Sequence, residues 1–435
     1  MKYYSTSRKS PEVSLSEAVV KGLAPDRGLY MPERIEKLPQ AFFDGIDNMS
    51  FQEIACTVAK AFFGEDIQEA DLNRIVCDTL QFDCPVVEVE PGVYSLELFH
   101  GPTLAFKDVG ARFMARLLQY FISRGSDRRE VNVLVATSGD TGSAVANGFL
   151  GVDGIHVYVL YPKGKVSPIQ ECQFTTLGRN ITAVEVDGVF DDCQRLVKSA
   201  FLDEELNRRM LLTSANSINV ARFLPQAFYY FNAYARLKAA GKADKVVVSV
   251  PSGNFGNITA GLIAHRMGLP IERFIAAGNA NDVFYSYVRS GLYQPKASVQ
   301  TIANAMDVGD PSNFARVLDL FGNSHGAISS LIGATTYSDS QIRETMKECH
   351  ERTGYILDPH GACGYRALRE NLTPGETGMF LETAHPAKFK ETVENAIGSC
   401  IAIPERLQAF MNGTKESSPM TSEFADFKSF LLSDY

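Results

Sequence analysis

The sequence of 435 residues contains no tryptophan, and Asp and Glu outnumber Lys and Arg. The net charge of -9 excludes a broad nucleic-acid surface, because binding phosphates on that scale requires a basic face. The eight cysteines are scattered without a C-x-x-C pair, so we expect reduced thiols and neither a disulfide framework nor a metal site. Apolar runs fall short of a membrane span, and the first residues lack a signal-peptide core. These absences indicate a cytoplasmic protein without membrane or nucleic-acid partners.

Length and composition place the chain among globular proteins with more than one domain. Hydrophobic residues make up 45% and charged residues 21% of it, which excludes a wholly disordered chain. Residues 1–92 are predicted to form a mainly helical N-terminal domain. Ser14 and Ser50 are each followed three residues later by Glu, a capping-box pattern that starts a helix, and a further helix is expected near residues 69–81.

From residue 93 the sequence alternates between short β-branched runs and amphipathic stretches. The predicted strands are 131–136, 155–161, 181–186, 245–250, 273–277 and 378–383. Because these strands are apolar on both faces and alternate with helices, we expect an α/β fold of parallel sheets, with ligands at the carboxyl ends of the strands. The prediction is a catalytic core at 93–400 and a C-terminal extension at 401–435, in which 412–423 is a flexible linker.

Lys107 ends the stretch LELFHGPTLAFK and directly follows apolar residues, which are typical of a buried segment. One interpretation is a lysine that begins a helix and points into water, as most lysines do. The other is a partly desolvated amine that loses its proton easily and forms a Schiff base with a carbonyl compound. The residues next to Lys107 do not decide between these interpretations, so other loops must.

The loop SVPSGNFGN, residues 249–257, follows an apolar strand and precedes a helix. Its two glycines allow a tight turn, so that backbone amides converge at a helix N-terminus that also favours an anion. The predicted phosphate cradle comprises Gly253, Asn254, Phe255, Gly256 and Asn257. A plain strand-to-helix turn would use the same glycines. The loop matches neither G-x-G-x-x-G nor G-K-[ST], which disfavours dinucleotides and ATP.

Two further polar loops close predicted strands. The loop ATSGDTGSAVA contains Ser138, Asp140 and Thr141, which could bind a carboxylate or simply cap a helix. In LETAHPAKF, Thr383 could bind a ring nitrogen or be an ordinary turn residue. An amine for an imine, a phosphate cradle and a buried hydroxyl together describe a site for pyridoxal phosphate.

From residue 1 to about residue 400, the sequence contains motifs that resemble those of the threonine synthase family, and of its bacterial branch in particular. The motifs occur in the same order as in that family. They are GLAPDRGLYMPE, ELFHGPTLAFKD, ATSGDTGSA, YPKGKVSPIQ, SANSINVAR, VPSGNFGN, NAMDVGDPSN and AHPAKF. The resemblance implies a fold type II pyridoxal-phosphate enzyme with two parallel-sheet α/β domains and the cofactor between them. It also implies conversion of O-phospho-L-homoserine and water into L-threonine and phosphate.

The same resemblance implies roles for residues at the matching positions. Lys107 would hold the cofactor as a Schiff base, residues 253–257 would bind its phosphate, and Thr383 would face its pyridine nitrogen. The residues implied in substrate binding are Ser138, Asp140, Thr141, Lys163, Lys165, Asn216, Ser217, Asn219 and Arg222.

Two aspects of this substrate-binding set are open. Lys163, Lys165 and Arg222 would bind the substrate phosphate, unless they are solvated lysines and an arginine on a helix face. Many fold type II enzymes have Asn where this chain has Asp140. An ionised carboxylate cannot donate a hydrogen bond as an amide does, so the role of Asp140 needs a structural explanation.

Two other functions are compatible with the sequence. A phospholyase or a serine/threonine dehydratase on the same scaffold would release 2-ketobutyrate and ammonia instead of threonine. A non-catalytic protein that binds a nucleotide or a metabolite through residues 251–257 would have no use for Lys107. The visible absorbance of the purified protein separates such a binding protein from an enzyme with a lysine-bound cofactor.

Overall fold

The computed structural model describes residues 1–125 and 129–433, so residues 434 and 435 of the predicted C-terminal extension lie outside it. Its N-terminal region combines helices with a small antiparallel sheet. These elements are β1 (Lys2–Ser5), β2 (Val13–Ser14), α1 (Leu15–Lys21), β3 (Tyr30–Pro32), α2 (Gln40–Gly45), α3 (Phe51–Phe63) and α4 (Glu69–Thr79). The sheet, of order β2-β1-β3, is absent from the sequence prediction because such short strands show no clear period of two.

The two capping patterns of this region differ in how far they form. At the start of α3, Ser50 and Glu53 make the complete capping box that the sequence predicts. At the start of α1, Ser14 accepts a hydrogen bond from the amide of Glu17, but the Glu17 side chain pairs with Lys21. The third predicted helix is confirmed as α4.

The other strands form two larger sheets. They are β4 (Val86–Glu90), β5 (Val93–Glu97), β6 (Val131–Ala136), β7 (Ile155–Pro162), β8 (Ile181–Val186), β9 (Leu211–Ser214), β10 (Val246–Pro251), β11 (Ile271–Gly278), β12 (Ile332–Thr336), β13 (Thr377–Glu382) and β14 (Ser418–Met420). One sheet has the order β12-β11-β10-β13-β5-β4 and the other has the order β14-β8-β7-β6-β9. All pairings in them are parallel except the hairpin of β4 and β5. The six predicted strands are therefore confirmed.

Helices cover the sheets and carry the chain from one parallel strand to the next. They are α5 (Lys107–Arg124), α6 (Asp140–Phe149), α7 (Pro168–Thr175), α8 (Phe190–Leu202), α9 (Glu204–Arg209), α10 (Val220–Phe223), α11 (Ala227–Ala239), α12 (Gly256–Arg266), α13 (Val283–Ser290), α14 (Phe314–Leu320), α15 (His325–Leu331), α16 (Asp339–Thr353), α17 (Pro359–Asn371), α18 (Lys390–Ile397), α19 (Glu405–Met411) and α20 (Phe424–Leu432). Every residue of β6, β10 and β13 is buried, which explains why these strands read as continuous apolar runs. Across the described ranges, no helix has the length and apolar character needed to cross a membrane.

The segment 412–423 is partly ordered as a strand, so its prediction as a flexible linker is wrong. Within it, β14 pairs in parallel with β8, and the amide of Asp187 donates to the carbonyl of Met420 over 2.8 Å. Pro419 lies in the middle of this strand, which is possible because β14 is at the edge of the sheet. Proline and serine made this edge strand look like a loop.

The order of the six-stranded sheet brings three loops together. β13 lies between β10 and β5, and the three strands are parallel, so their carboxyl ends meet at one edge. The loop that leads to Lys107 follows β5, the loop 252–255 follows β10, and Thr383 follows β13. Because β4 and β5 pair across residue 92, this sheet includes chain from both sides of the predicted domain limit at 92. The domain limits themselves stay a prediction.

Candidate active site

Lys107 is held beside Thr383 by backbone hydrogen bonds. The amide of Phe106 donates to the carbonyl of Thr383 over 2.9 Å, and the amide of His385 donates to the carbonyl of Leu104 over 3.0 Å. An antiparallel bridge between Ala105 and Ala384 lies between these two bonds. The start of α5 is therefore fixed to the end of β13, which brings the segments of Lys107 and Thr383 together.

The amine of Lys107 is in a desolvated environment. Its pKa is lowered from 10.5 to about 8, chiefly because burial disfavours the charged ammonium. The negative charge of Asp140 opposes this shift, while the positive charges of Lys388 and Arg222 add to it. A lysine with this pKa is partly deprotonated near neutral pH, which favours the reactive amine over the solvated helix start.

Asp140 is the first residue of α6 and lies in a buried ion pair. Its Oδ1 is 2.6 Å from Nζ of Lys388 and accepts a hydrogen bond from Nε2 of Gln170 at 2.9 Å. Burial would raise the pKa of this carboxyl, but Lys388 and Lys107 outweigh burial and hold the pKa below its usual range. Asp140 is therefore ionised. Sequence reasoning missed Lys388, although AHPAKF contains it, because nothing local distinguishes a buried lysine from a solvated one.

The loop before Asp140 is shaped by another residue that sequence reasoning missed. Oγ1 of Thr137 accepts hydrogen bonds from the amides of Gly139 and Gly142 at 2.9 and 2.8 Å. The hydroxyls of Ser138 and Thr141 are left at the partly exposed edge of the turn, where they have no hydrogen-bond partner within the described residues. These two hydroxyls therefore have no partner that would compete with a ligand, and their role in binding stays a prediction.

The loop 253–257 offers backbone amides instead of charges. None of its five amides donates to an acceptor within residues 1–125 and 129–433. Phe255 adopts a left-handed conformation (φ 65°) as the N-cap of α12, which turns the loop tightly. A Cβ atom at Gly253 would lie 2.8 Å from the carbonyl oxygen of Ala305 and from Cα of Met306, so only glycine fits there. Five free amides at a helix N-terminus suit a phosphate.

The segment 216–219 lies against this loop. Nδ2 of Asn254 donates to Oγ of Ser217 over 2.7 Å, which confirms that the structure brings the two segments together. The side chain of Asn216 is partly buried, and its Oδ1 accepts no hydrogen bond within the described residues. Asn219 differs, because its Oδ1 caps α10 and its Nδ2 donates to the carbonyl of Val19. The Asn219 side chain is thus committed to structural contacts.

The three cations predicted for the substrate phosphate lie in different surroundings. Arg222 is 2% exposed, and burial lowers its pKa to about 10. Its Nη1 donates to the carbonyl of Ala215, while its Nε has no acceptor within the described residues. Lys163 and Lys165 are exposed beyond the end of β7. Arg222 is close enough to Lys107 to interact with it electrostatically, whereas the two lysines lie at the surface.

A buried histidine positions the segment that covers Gly253. Nδ1 of His360 contacts Oδ1 of Asp358 at 2.5 Å, and its Nε2 accepts the amide of Ala305 at 3.2 Å. Asp358 also caps α17, and the adjacent Glu382 carboxyl has its pKa raised by burial and by Asp358. Sequence reasoning missed this pair, although Asp-Pro at a helix start is a recognisable N-cap signal.

Comparison with known proteins decides the family. Residues 83–381 match the model for pyridoxal-phosphate dependent enzymes, residues 2–80 match the threonine synthase N terminus, and residues 361–431 match the threonine synthase C-terminal region. The threonine synthase of Haemophilus influenzae is 45% identical over 432 residues, covering 99% of this chain and 100% of that protein. The chain belongs to the threonine synthase family.

Solved structures of this family have the same fold. The crystal structure of threonine synthase from Escherichia coli is 44% identical, with a TM-score of 0.93 and coverage of 100% of both chains. A threonine synthase from Brucella melitensis, solved with pyridoxal phosphate bound, is 36% identical with a TM-score of 0.93, covering 99% of this chain and 98% of that one. The fold type II architecture and the pyridoxal-phosphate cofactor predicted from sequence are confirmed.

The residues present in this chain fit the cofactor. Lys107 provides an amine that loses its proton readily, and the amides of 253–257 provide unpaired donors for a phosphate. The buried hydroxyl of Thr383 has no hydrogen-bond partner within the described residues, so it can serve a ring nitrogen. Each chemical feature of pyridoxal phosphate thus has a matching group at the same edge of the six-stranded sheet.

Proposed function

We propose that this chain converts O-phospho-L-homoserine and water into L-threonine and phosphate, with Lys107 as its catalytic amine. The observation that carries the proposal is the desolvated Lys107, which directly follows a segment bonded through its backbone to Thr383 and His385. In this proposal Lys107 holds pyridoxal phosphate, residues 253–257 bind its phosphate and Thr383 faces its ring nitrogen. The family supports the proposal, since all three segments lie within the matched regions.

The reaction requires protons to move at two neighbouring carbons of the substrate. Bound pyridoxal phosphate supplies a conjugated ring that stabilises negative charge beside the amino group. Lys107 is the base for the proton on Cα, because a pKa of about 8 gives it a neutral fraction at physiological pH and still allows it to return the proton. The same amine accepts the proton on Cβ, so that phosphate can leave from Cγ. Water can then add to the substrate.

The hydroxyl of Thr383 limits side reactions in this scheme. A neutral hydroxyl donates a hydrogen bond to a pyridine nitrogen without protonating it, whereas a carboxylate would favour the protonated ring. An uncharged ring withdraws electrons less strongly. Thr383 therefore favours elimination and addition over transamination, which requires a longer-lived carbanion.

Substrate binding follows from the remaining polar groups of the site. The hydroxyls of Ser138 and Thr141 and the loop at Asp140 bind the substrate carboxylate. Arg222 binds the substrate phosphate, since it is a buried cation whose Nε has no acceptor within the described residues. The exposed Lys163 and Lys165 guide the anionic substrate from the surface.

The segment 216–219 contributes to the substrate site through two of its three predicted residues. Asn216 has an unpaired buried oxygen, and Ser217 is bonded to Asn254 of the phosphate loop. Both can adjust to a ligand. Asn219 supports this segment from behind by its helix cap and its bond to Val19, and its part in binding is indirect.

One experiment separates this function from its alternatives. The purified protein is incubated with O-phospho-L-homoserine, and threonine, 2-ketobutyrate and phosphate are measured together. Equal amounts of threonine and phosphate are expected. Phosphate with 2-ketobutyrate would instead indicate a phospholyase. A colourless protein that forms none of the three products would be a non-catalytic binding protein.

The attachment of the cofactor is tested separately. The protein is expected to be yellow, and the chain has no tryptophan to obscure its near-ultraviolet spectrum. Borohydride reduction followed by peptide mapping is expected to find the cofactor on Lys107. A label on any other lysine would show the assignment of Lys107 to be wrong.

We also infer that the protein acts in the cytoplasm. All eight cysteines are free thiols, and Cys84, Cys193, Cys349 and Cys363 are buried without disulfide partners. Reduced cysteines suit a reducing compartment. Fractionation of the source cells is expected to recover the protein with the cytoplasmic enzymes, and recovery with a membrane or secreted fraction would contradict the inference.

A further inference from the structure

Lys388 is an unusual residue in this site, because its ammonium is fully buried. The side chain is 0% exposed and comes from the short 3-10 turn Pro386–Phe389 that follows β13. Its Nζ is 2.6 Å from Oδ1 of Asp140 and donates to the carbonyl of Thr103 over 2.9 Å. A buried cation is costly unless it is paired and hydrogen-bonded, so these two contacts account for its presence.

Asp140 is oriented by its partners in a way that leaves one oxygen free. Lys388 and Gln170 both contact Oδ1, whereas Oδ2 has no hydrogen-bond partner within the described residues. The residue is only 5% exposed, so this second oxygen lies in a largely buried environment. The ammonium and the amide thus fix the direction of the carboxylate without using its second oxygen.

The charged groups around Lys107 come from separate elements. Asp140 faces it from α6, Lys388 from the turn after β13 and Arg222 from α10. Asp108, its neighbour on α5, is bonded to Thr103 and interacts with Lys388 and Arg222. Asp140 stabilises a positive charge at Lys107, and Lys388 opposes it, so the effects of the two partners at the amine have opposite signs.

We propose that Lys388 is a positioning residue for the catalytic amine: it holds the Asp140 carboxylate fixed beside Lys107, so that the amine faces a neutral ion pair and not a lone negative charge. The proposal rests on the assignment of Lys107 as the cofactor-bearing residue. A lone carboxylate at Asp140 would keep Lys107 protonated and unable to act as a base. The pair is neutral overall, as an asparagine would be, which explains how a carboxylate can occupy this position.

The test is a pH titration of the holoenzyme with four variants. The visible absorbance band reports protonation of the nitrogen that joins Lys107 to the cofactor, so it does not depend on turnover. Lys388→Gln removes the positive charge and keeps an amide donor for Asp140. Asp140→Asn removes the negative charge, Lys388→Met with Asp140→Asn removes both, and Lys390→Met is a matched control on a partly exposed lysine that pairs with Glu394.

The variants are expected to shift the titration midpoint in opposite directions. Lys388→Gln should raise it by about one pH unit, because Asp140 then stabilises the protonated nitrogen without opposition. Asp140→Asn should lower it by a similar amount, since Lys388 remains. The double variant and Lys390→Met should titrate within a few tenths of a unit of the wild type.

Several outcomes would overturn the proposal. Unchanged midpoints in both single variants, or shifts in the same direction, would show that the pair only supports the fold. Where neither single variant retains the cofactor, the double variant decides, since it buries no charge. A midpoint displaced by more than half a unit in the double variant would overturn the proposal. Failure of the proposed function is distinct: a different reaction would release 2-ketobutyrate instead of threonine, and a wrong cofactor assignment would place the borohydride label away from Lys107.

Discussion

The two sides of this site are built by different means. Around Lys107, charged side chains from three elements interact, and Asp140 and Lys388 pair at 2.6 Å in a buried environment. Around Gly253, the unpaired polar groups are backbone amides, and the loop is shaped by Phe255 and by the covering segment at Ala305. The charged side can tune the protonation of an amine, whereas the backbone side presents fixed donors that no change of pH alters. We therefore expect one side to control reactivity and the other to control the position of the cofactor.

Removal of the amine tests the charged side most directly. Lys107→Ala is expected to lower turnover by about 10²-fold to 10⁴-fold or more, because the base and the covalent attachment are both lost. Borohydride should no longer fix the cofactor to the protein. Lys390→Ala is the control, since this lysine is partly exposed and paired with Glu394. Covalent labelling that persists in Lys107→Ala would show that another residue carries the cofactor.

Arg222 tests whether the charged side extends to the substrate. Arg222→Ala is expected to weaken kcat/KM for the phosphorylated substrate by about 2–5 kcal/mol, because a desolvated charge pair is lost. Lys163→Ala and Lys165→Ala are expected to cost less than about 1 kcal/mol each, since both side chains are exposed. Cofactor content and thermal stability are measured in each variant to separate binding from folding. Normal kinetics in Arg222→Ala would remove this residue from the site.

The charged side should also make the stability of the cofactor-free protein depend on pH. The pKa of Lys107 is lowered from 10.5 to about 8 on folding, so between these values the unfolded chain binds a proton that the folded chain has lost. The free energy of unfolding should therefore rise with pH in this window, by up to about 3 kcal/mol, and stay constant below it. Urea unfolding of the wild type and of Lys107→Met measures the difference. Equal pH profiles in the two proteins would show that the amine is not desolvated.

Gly253→Ala tests the backbone side. The added Cβ would lie 2.8 Å from the carbonyl oxygen of Ala305 and from Cα of Met306, so the loop must move. Cofactor binding should weaken by about 1–3 kcal/mol, with no change in the titration of the visible band. Gly45→Ala is the matched control, because a Cβ there meets nothing within 4 Å. A shifted titration midpoint of the visible band, with unchanged cofactor affinity, would contradict the roles assigned to the two sides.

Thr383→Val should have the smallest effect. The substitution conserves shape and removes one hydroxyl, so cofactor affinity should fall by about 0.5–1.5 kcal/mol, the contribution of one hydrogen bond. The measurement is the cofactor dissociation constant, together with the absorbance spectrum. An affinity and a spectrum identical to the wild type would place the Thr383 hydroxyl away from the ring.

The sequence predicts the strands and the loops of the site well, because both depend on local patterns. Apolar runs such as β6 and β10 are buried on both faces. The sequence predicts that the glycines after β10 allow a tight turn, whereas the structure explains Gly253 by the close approach of Ala305 and Met306. The cooperation of the three loops also follows from general rules, since parallel strands present their carboxyl ends at one edge.

Long-range pairings could not be predicted in the same way. Lys388 and Asp140 are separated by 248 residues, and no local pattern shows that either is buried. Likewise, the capping role of Asn219 depends on the carbonyl of Val19, 200 residues away. Such contacts are set by the packing of distant segments, which a single sequence does not display.

The position of β13 in its sheet has a consequence for how the protein is made. This strand lies between β10 and β5, yet it leaves the ribosome after both of them. Domains fold as units during synthesis. A nascent chain that ends before residue 377 already contains Lys107 and the loop 253–257. The strands that precede them, β5 and β10, still lack the strand that lies between them in the sheet. We therefore expect the ability to capture the cofactor to arise late, when β13 inserts and brings Thr383 and Lys388 into place.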